Sequence, residues 1–273
     1  MQTGYYSSAA GMVTQFNRIE TIANNLANVN TNGYKEDNLI VGDFMRLYKE
    51  KRDALPNEDN TKEAAQFLNR TMAKVPQVVD EYTDFSVGSL QKTSNPLDVA
   101  LSRENLFFAV KTPEGIRFTR DGSFSLDDEG KLVTKEGYEV LGDDYMQSKE
   151  GISFSTVDSI INIDKNGQIY TNVPGSATLT QNKQLLIATI DNPRYLKKEG
   201  DNLYKLDDMS RMELNEESGA VDQGFIEKSN VNAVKMMTQL IETNRLVGMY
   251  QKAMDSQMND MNRDAIEKIA RKA

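Results

Sequence analysis

Both ends of the chain carry apolar residues at heptad spacing, a period that a chain satisfies by forming helices packed along a seam. At the N-terminus the stripe is Tyr5, Ala9, Met12, Phe16, Ile19, Ala23 and Leu26, stepping by four and three without a break. Only Arg18, Glu20 and Lys35 are charged among the first 35 residues, in a chain whose charged fraction is 27%. A lone surface helix would carry more charge on its outer face, so the other faces of this one are expected to be covered as well. The C-terminal stripe is Ala233, Leu240, Val247, Met254 and Met261 at one heptad position and Met236, Thr243, Tyr250 and Gln257 at the other, with Met237 and Ile241 beside it. Thr243 and Gln257 make that seam imperfect, and Gly248 weakens the helix by roughly 1 kcal/mol relative to Ala. A helix from Thr3 to Ala27 is about 38 Å long and one from Asn230 to Ala270 about 60 Å, at 1.5 Å per residue. The shorter helix cannot cover the longer one, which points to burial by other copies of the chain. The alternative is an antiparallel or parallel helix pair within one chain, closing a globular domain.

The length of 273 residues leaves room for more than one domain. With 41 Asp and Glu against 32 Lys and Arg the net charge is −9, and no basic stripe with interleaved aromatics is present, so nucleic acid is not an expected partner. Mean hydropathy is −0.58, and no apolar run exceeds Leu185 to Ile190, so no membrane insertion is expected. The N-terminus lacks the early Lys or Arg and the continuous apolar core of a cleavable secretory signal. The absence of cysteine fits any compartment. The absence of histidine removes the commonest general base, the commonest metal ligand and every Ser-His or Cys-His nucleophile pair.

Between the helices the texture changes. From about Val75 to Gln223 short β-like runs alternate with Gly, Asn and Asp turns, the spacing of an all-β domain. Candidate strands are Phe85 to Leu90, Leu106 to Lys111, Ile116 to Arg120, Lys131 to Thr134, Ile160 to Ile163, Gln168 to Thr171, Ala177 to Thr180 and Leu185 to Ile190. Asn166 and Gly167 mark a hairpin between two of them, and Pro113, Glu114 and Gly115 mark another turn. The stretch from Phe44 to Lys74 fits neither texture: it is charged, contains Pro56, and offers a capping box in Asn60 and Glu63. It reads as a connecting arm or a disordered linker.

The segment ANNLANVNTNGYK, Ala23 to Lys35, ends a helix in an Asn-rich turn before Gly and an aromatic. Asn28, Asn30, Thr31 and Asn32 can bond nearby backbone, and Gly33 tolerates positive φ. This segment resembles the N-terminal signature of the bacterial flagellar rod and hook proteins. Asn95 to Leu101 with Phe107 to Gly142, then Asp164 to Tyr170 with Gly200 to Leu206, then Gln223 to Asn232 resemble further blocks of that family in the same order. The resemblance spans nearly the whole chain apart from Phe44 to Lys74. It is nearer to the rod proteins than to the longer hook subunits, and the opening Met1 to Ala10 with the charged insertion favours the proximal FlgF type over the distal FlgG type. The resemblance implies export by the flagellar type III apparatus without signal cleavage and assembly across the periplasm.

One constellation imitates a metal site. Ser125, Asp127, Glu129, Gly130, Leu132 and Glu136 fall on EF-hand loop positions one, three, five, six, eight and twelve. Ser stands at the first ligand position, Glu at the fifth, and the flanks read as strand, so a β-hairpin turn is the expectation. Asp143 with Asp144 and Asp207 with Asp208 are read as turn residues, since neighbouring carboxylates do not flank a substrate. No segment matches a catalytic motif. A glycan-hydrolysing or peptidoglycan-binding module is the alternative to a structural subunit.

The expected fold is α+β: long N- and C-terminal helices forming a coiled-coil-like helical domain, with a central all-β domain. The expected boundaries are 1–43 for the N-terminal part of the assembly domain, 44–74 for the arm, 75–223 for the β domain and 224–273 for the C-terminal helix. No catalytic, cofactor or metal residue is expected. The candidate assembly interface is Tyr5, Met12, Phe16, Ile19, Ala23, Asn24, Asn25, Leu26, Asn28, Asn30, Met236, Leu240, Val247, Tyr250, Met254 and Met261. By the resemblance, the partners are copies of the chain, other rod subunits and the export apparatus. Before assembly the helices are expected to be poorly ordered, since an isolated helix pair is marginal.

Overall fold

The computed structural model describes residues 2–43, 76–145, 151–154, 160–172, 180–215 and 218–270. The expected arm at 44–74, its capping box and residues 177–179 of one candidate strand lie outside the described residues. The chain divides into two compact units: Met1–Ala27, Asp37–Tyr82 and Asn232–Ala273 form the first, Asn28–Glu36 and Thr83–Val231 the second.

Among the described residues the first unit contains two helices, α1 at Gln2–Ala27 and α2 at Ala233–Ala270. They are 26 and 38 residues long, about 39 and 57 Å at helical rise. Asn232 caps α2, its Oδ1 accepting the Lys235 N–H at 3.1 Å. The helices pair antiparallel within one chain, and the register steps by seven on both: Gly4 lies against Gln257, Gly11 against Tyr250 and Asn25 against Met236. The structure thus has both helices formed in a single chain, and a seam different from the expected one on α1. The buried α1 face is Gly11, Thr14, Ile22 and Asn25, turned roughly a third of a revolution from the Tyr5-to-Leu26 stripe at about 100° per residue. Small and polar residues win this face because α2 brings the bulk: a Cβ on Gly11 would stand 2.6 Å from the Tyr250 ring. On α2 the expected seam is the observed one. Met236, Thr243 and Val247 are buried, and Leu240, Tyr250, Met254 and Met261 are half-buried. Thr243 tolerates burial because its hydroxyl donates to the Gln239 carbonyl at 2.7 Å.

The second unit is built from antiparallel sheets around two apolar clusters. Strand Leu106–Thr112 is central and alternates its side chains between them, sending Leu106, Phe108 and Val110 to one cluster and Phe107 and Ala109 to the other. Strands Ile160–Ile163, Gln168–Asn172 and Thr180–Gln184 form a separate three-stranded sheet whose Ile161, Ile163 and Ile169 complete the first cluster. The expected Asn-Gly hairpin is present, and its turn is held by its own side chain: Asp164 Oδ1 accepts the N–H groups of Asn166 and Gln168 at 2.8 and 2.9 Å, and Gly167 takes φ +80°. Asp127 repeats this at Glu129 and Lys131, at 2.9 and 2.7 Å, ahead of Gly130 at φ +77°. The run Phe85 to Leu90 departs from expectation, since strands occupy Pro76–Asp84 and Leu90–Lys92. Backbone groups of the intervening segment are instead engaged by charged side chains.

Those charges form the buried centre of the second unit. Lys35, Arg120 and Glu227 have side chains 0%, 0% and 1% exposed. Glu227 receives Lys35 Nζ at 2.6 Å and Arg120 Nε at 2.9 Å, and also the Gly88 N–H at 2.8 Å. Lys35 Nζ donates further to the Ser86 carbonyl at 2.7 Å, and Arg120 to the carbonyls of Arg103 and Leu106. The Gly33 N–H reaches the Glu227 carbonyl at 2.8 Å. Gly33 has φ +67°, and a Cβ there would stand 2.5 Å from the Arg120 backbone, so the position demands glycine twice over. Asn230 adds a second tie, accepting the Glu36 N–H at 2.8 Å and donating to the Asp84 carbonyl at 2.8 Å. Burial, with the Arg120 charge second, lowers the Lys35 pKa to about 8.

Two sets of measurements check this account. Gly248 has open space where a Cβ would go, so Gly248→Ala should stabilise the helical unit by about 1 kcal/mol, whereas Gly11→Ala should destabilise it by pressing on Tyr250. Urea unfolding of both variants reads the opposite signs. Glu227→Gln leaves two buried cations facing each other and should lose about 3–5 kcal/mol at pH 7. Between the folded Lys35 value near 8 and its unfolded value of 10.5, the unfolded chain holds a proton that the folded chain has released. Stability relative to Lys35→Met should therefore rise with pH across that window, and a flat difference would contradict it.

Candidate assembly surface

The N-terminal stripe lies on the side of α1 that the helix pair leaves open. Phe16 is 44% exposed, with Tyr6 at 67% and Val13 at 56% beside it. Ala23 is exposed, and Tyr5, Ala9, Met12, Ile19 and Leu26 are half-buried. Five large or medium apolar side chains on one helix face are therefore only partly covered by their own chain. Met236, Leu240, Val247, Tyr250, Met254 and Met261 belong to the opposite situation, being the seam with α1. A second open stripe runs along α2 where the heptad reading had placed only flanking residues: Val234 is 75% exposed, Met237 51% and Ile241 63%.

The Asn-rich segment divides into different duties. Asn25 is buried and pairs with the backbone of Asp37 through both ends of its amide, donating at 2.7 Å and accepting at 2.9 Å. Asn25 therefore anchors the chain after the turn instead of facing a neighbouring copy. Asn28 closes the turn, accepting the Thr31 N–H at 3.1 Å and its hydroxyl at 3.2 Å. Asn24 and Asn30 are exposed. Asn32, which sequence reasoning treated only as a turn former, accepts from Lys228 Nζ at 3.2 Å, and its carbonyl accepts from Asn202 at 2.8 Å. Tyr34 is buried beneath Lys198, whose ammonium sits 3.8 Å from the ring centroid.

Several residues that matter were not singled out by the sequence. Glu227, Arg120 and Lys35 were visible as charged residues inside family-like blocks, yet nothing in their spacing says that they meet. Gly4 and Gly11 stand one seven-residue step apart on a face away from the apolar stripe, a signal for close helix approach that the count of large apolar residues obscured.

The EF-hand look-alike distributes its residues over strands and two turns. Ser125 is in strand Ser125–Leu126, Leu132 is in strand Leu132–Val133, and the Asp127 carboxylate caps its own turn. Lys131 Nζ approaches Glu129 at 2.9 Å and Glu139 at 3.2 Å, placing a cation among the acids. Asp143 and Asp144 form a turn, and Asp208 caps the short helix Met209–Arg211. Among the described residues no helix is long and apolar enough to cross a membrane.

Residues 6–35 match the family Flagella basal body rod protein, residues 105–171 the Flagellar hook protein FlgE/F/G D1 domain, and residues 222–267 the Flagellar basal body rod FlgEFG protein C-terminal family. Over 250 residues the chain is 32% identical to the flagellar basal-body rod protein FlgG of Agrobacterium fabrum, covering 90% of this chain and 91% of that one. It is 27% identical over 274 residues to the flagellar basal-body rod protein FlgF of Caulobacter vibrioides, covering 99% of each. It is 29% identical over 242 residues to the flagellar hook-basal body complex protein FlhP of Bacillus subtilis, covering 84% of this chain and 85% of the relative. The match over 6–35 includes the open stripe of α1 from Ala9 onward, the Asn-rich turn and Lys35, and the match over 222–267 includes Glu227 and the seam of α2. With both helical ends and the β unit matched, the chain belongs to the FlgF/FlgG family of flagellar basal-body rod proteins.

Proposed function

We propose that the chain builds the rod by docking the open stripe of α1 onto the open stripe of α2 in another copy or a related rod subunit. The observation that carries this reading is the exposure of two apolar stripes on a helix pair whose own seam is already filled. Ala9, Met12, Phe16 and Ala23 step by three, four and seven, and Val234, Met237, Ile241 and Gly248 step identically. A contact between two different faces is heterologous, and repeated head to tail it generates a filament where a self-complementary face would close a dimer. The driving force is burial of apolar area, at roughly 25 cal/mol per Å². In this reading the helical unit is the assembly domain, and the shaft transmits torque with no catalysis and no cofactor. The subunit reaches the periplasm through the flagellar export apparatus without signal cleavage.

The opening residues and the charged insertion favour the proximal, FlgF-type position. The 32% identity to a FlgG against 27% to a FlgF favours the distal, FlgG-type position. Labelling the chain in isolated basal bodies and measuring its distance from the inner end of the rod decides between them.

Phe16→Asp places a charge on the open stripe without touching the α1–α2 seam. The purified variant should keep the wild-type helical circular dichroism and melting temperature, while incorporation into the rod and motility are lost. Gly248→Ala should add stability to the isolated chain yet slow incorporation, because the added methyl stands on the docking stripe. Normal motility of the Phe16→Asp strain would remove the assembly role of this face.

A further inference from the structure

We infer that the β unit carries a binding groove for an uncharged saccharide beside strand Gln168–Asn172. The groove encloses about 460 Å³, within the size range of small-ligand sites and ample for one or two sugar rings. It lies wholly inside the second unit and makes no use of the terminal helices, so its failure would leave the assembly reading untouched.

The sheet register builds it. Ile169 points into the core, so Gln168 and Tyr170 project together from the opposite face. Across the ladder, Gln184 pairs with Gln168 and Gln181 with Tyr170, which frames one aromatic ring with amides. Asp143 stands on the rim, exposed, and Leu214 beside the groove is 50% exposed. Two of the amides are held in place by backbone: Gln168 Nε2 donates to the Asn182 carbonyl at 2.6 Å, and Gln184 Nε2 to the Asn166 carbonyl at 2.8 Å. Their side-chain oxygens are thereby oriented. Among the described residues, the Asp143 carboxylate, the Tyr170 hydroxyl and the Gln181 amide make no side-chain hydrogen bond within the protein.

The chemistry selects the ligand class. The described lining contains Asp143 and Asp164 and neither Lys nor Arg, so a phosphate or carboxylate ligand would meet repulsion with no counter-charge. A purely apolar ligand would strand the amides without partners. A sugar satisfies both constraints: its hydroxyls donate to carboxylate and amide oxygens and accept from amide N–H groups, while its C–H face covers the Tyr170 ring and Leu214. Affinity at so open a groove should be weak, with a Kd on the order of 1 mM.

The test is saturation-transfer NMR on the full-length chain with cellobiose, lactose and N,N′-diacetylchitobiose, each in the millimolar range. At least one should receive saturation. Asp143→Asn and Gln181→Ala, both at exposed positions, and Tyr170→Ala should each weaken it by about tenfold or more, the effect of losing a charge-assisted bond or a stacking face. Tyr82→Ala, an exposed tyrosine in the other unit, should leave it unchanged. If Tyr170→Ala fails to fold, the other two variants decide. Absence of transfer to all three sugars, or transfer that survives Asp143→Asn and Gln181→Ala undiminished, would overturn the site.

Discussion

A single buried carboxylate organises the second unit. Glu227 accepts from Lys35, Arg120 and Gly88 by its side chain and from Gly33 by its carbonyl. Two cations and one anion out of water make an unfavourable set when their donors lack partners, and here donors beyond those given to Glu227 reach the carbonyls of Ser86, Arg103 and Leu106. The depressed Lys35 pKa reports the residual penalty of burial. What the arrangement secures is position: the segments around residues 33–36, 84–88 and 227–230 are fastened to one another within the β unit, where the chain passes to and from the helical unit.

The helix pair follows a different logic. Its seam is filled by matching small to large, Gly11 under Tyr250 and Gly4 under Gln257, which lets α1 spend glycine, threonine and asparagine on the intrachain face. Apart from Ile22, the large apolar residues of α1 are thus left for the other side. An apolar stripe kept out of a chain's own core is expensive in solubility, and its retention on a charge-poor helix is what makes an assembly role physically coherent.

The helices, their lengths and the α2 seam were legible because a heptad pattern over many turns has few structural solutions. The α1 seam was misread because large side chains dominate any count of apolar residues, although glycine at a seven-residue step defines close approach equally well. Strands such as Leu106–Thr112 and Ile160–Ile163 were legible from β-branched and aromatic runs bounded by glycine turns. Phe85 to Leu90 looked the same locally, but its backbone partners include the side chains of Lys35 and Glu227, far away in sequence, which no window of residues contains. The same reason hides the Glu227 cluster. Asn25 is expected at the interface, whereas its amide bonds the backbone of Asp37, twelve residues further on, a tie with no periodic signature. The groove beside Tyr170 was invisible because alternation shows which residues share a face and not what stands opposite it.

The turns and the clamp also set an order of folding. The Asp127 and Asp164 turns carry their own hydrogen bonds, so their hairpins need only local chain and can close on the microsecond scale. The Glu227 contacts close loops of 107, 139 and 192 residues to Arg120, Gly88 and Lys35, which places them among the slowest and latest to form. Completion of the β unit is therefore an event of the C-terminal part of the chain. Any cellular process that handles the polypeptide before residue 227 is free meets a set of separate hairpins, with Lys35 and Arg120 still in water.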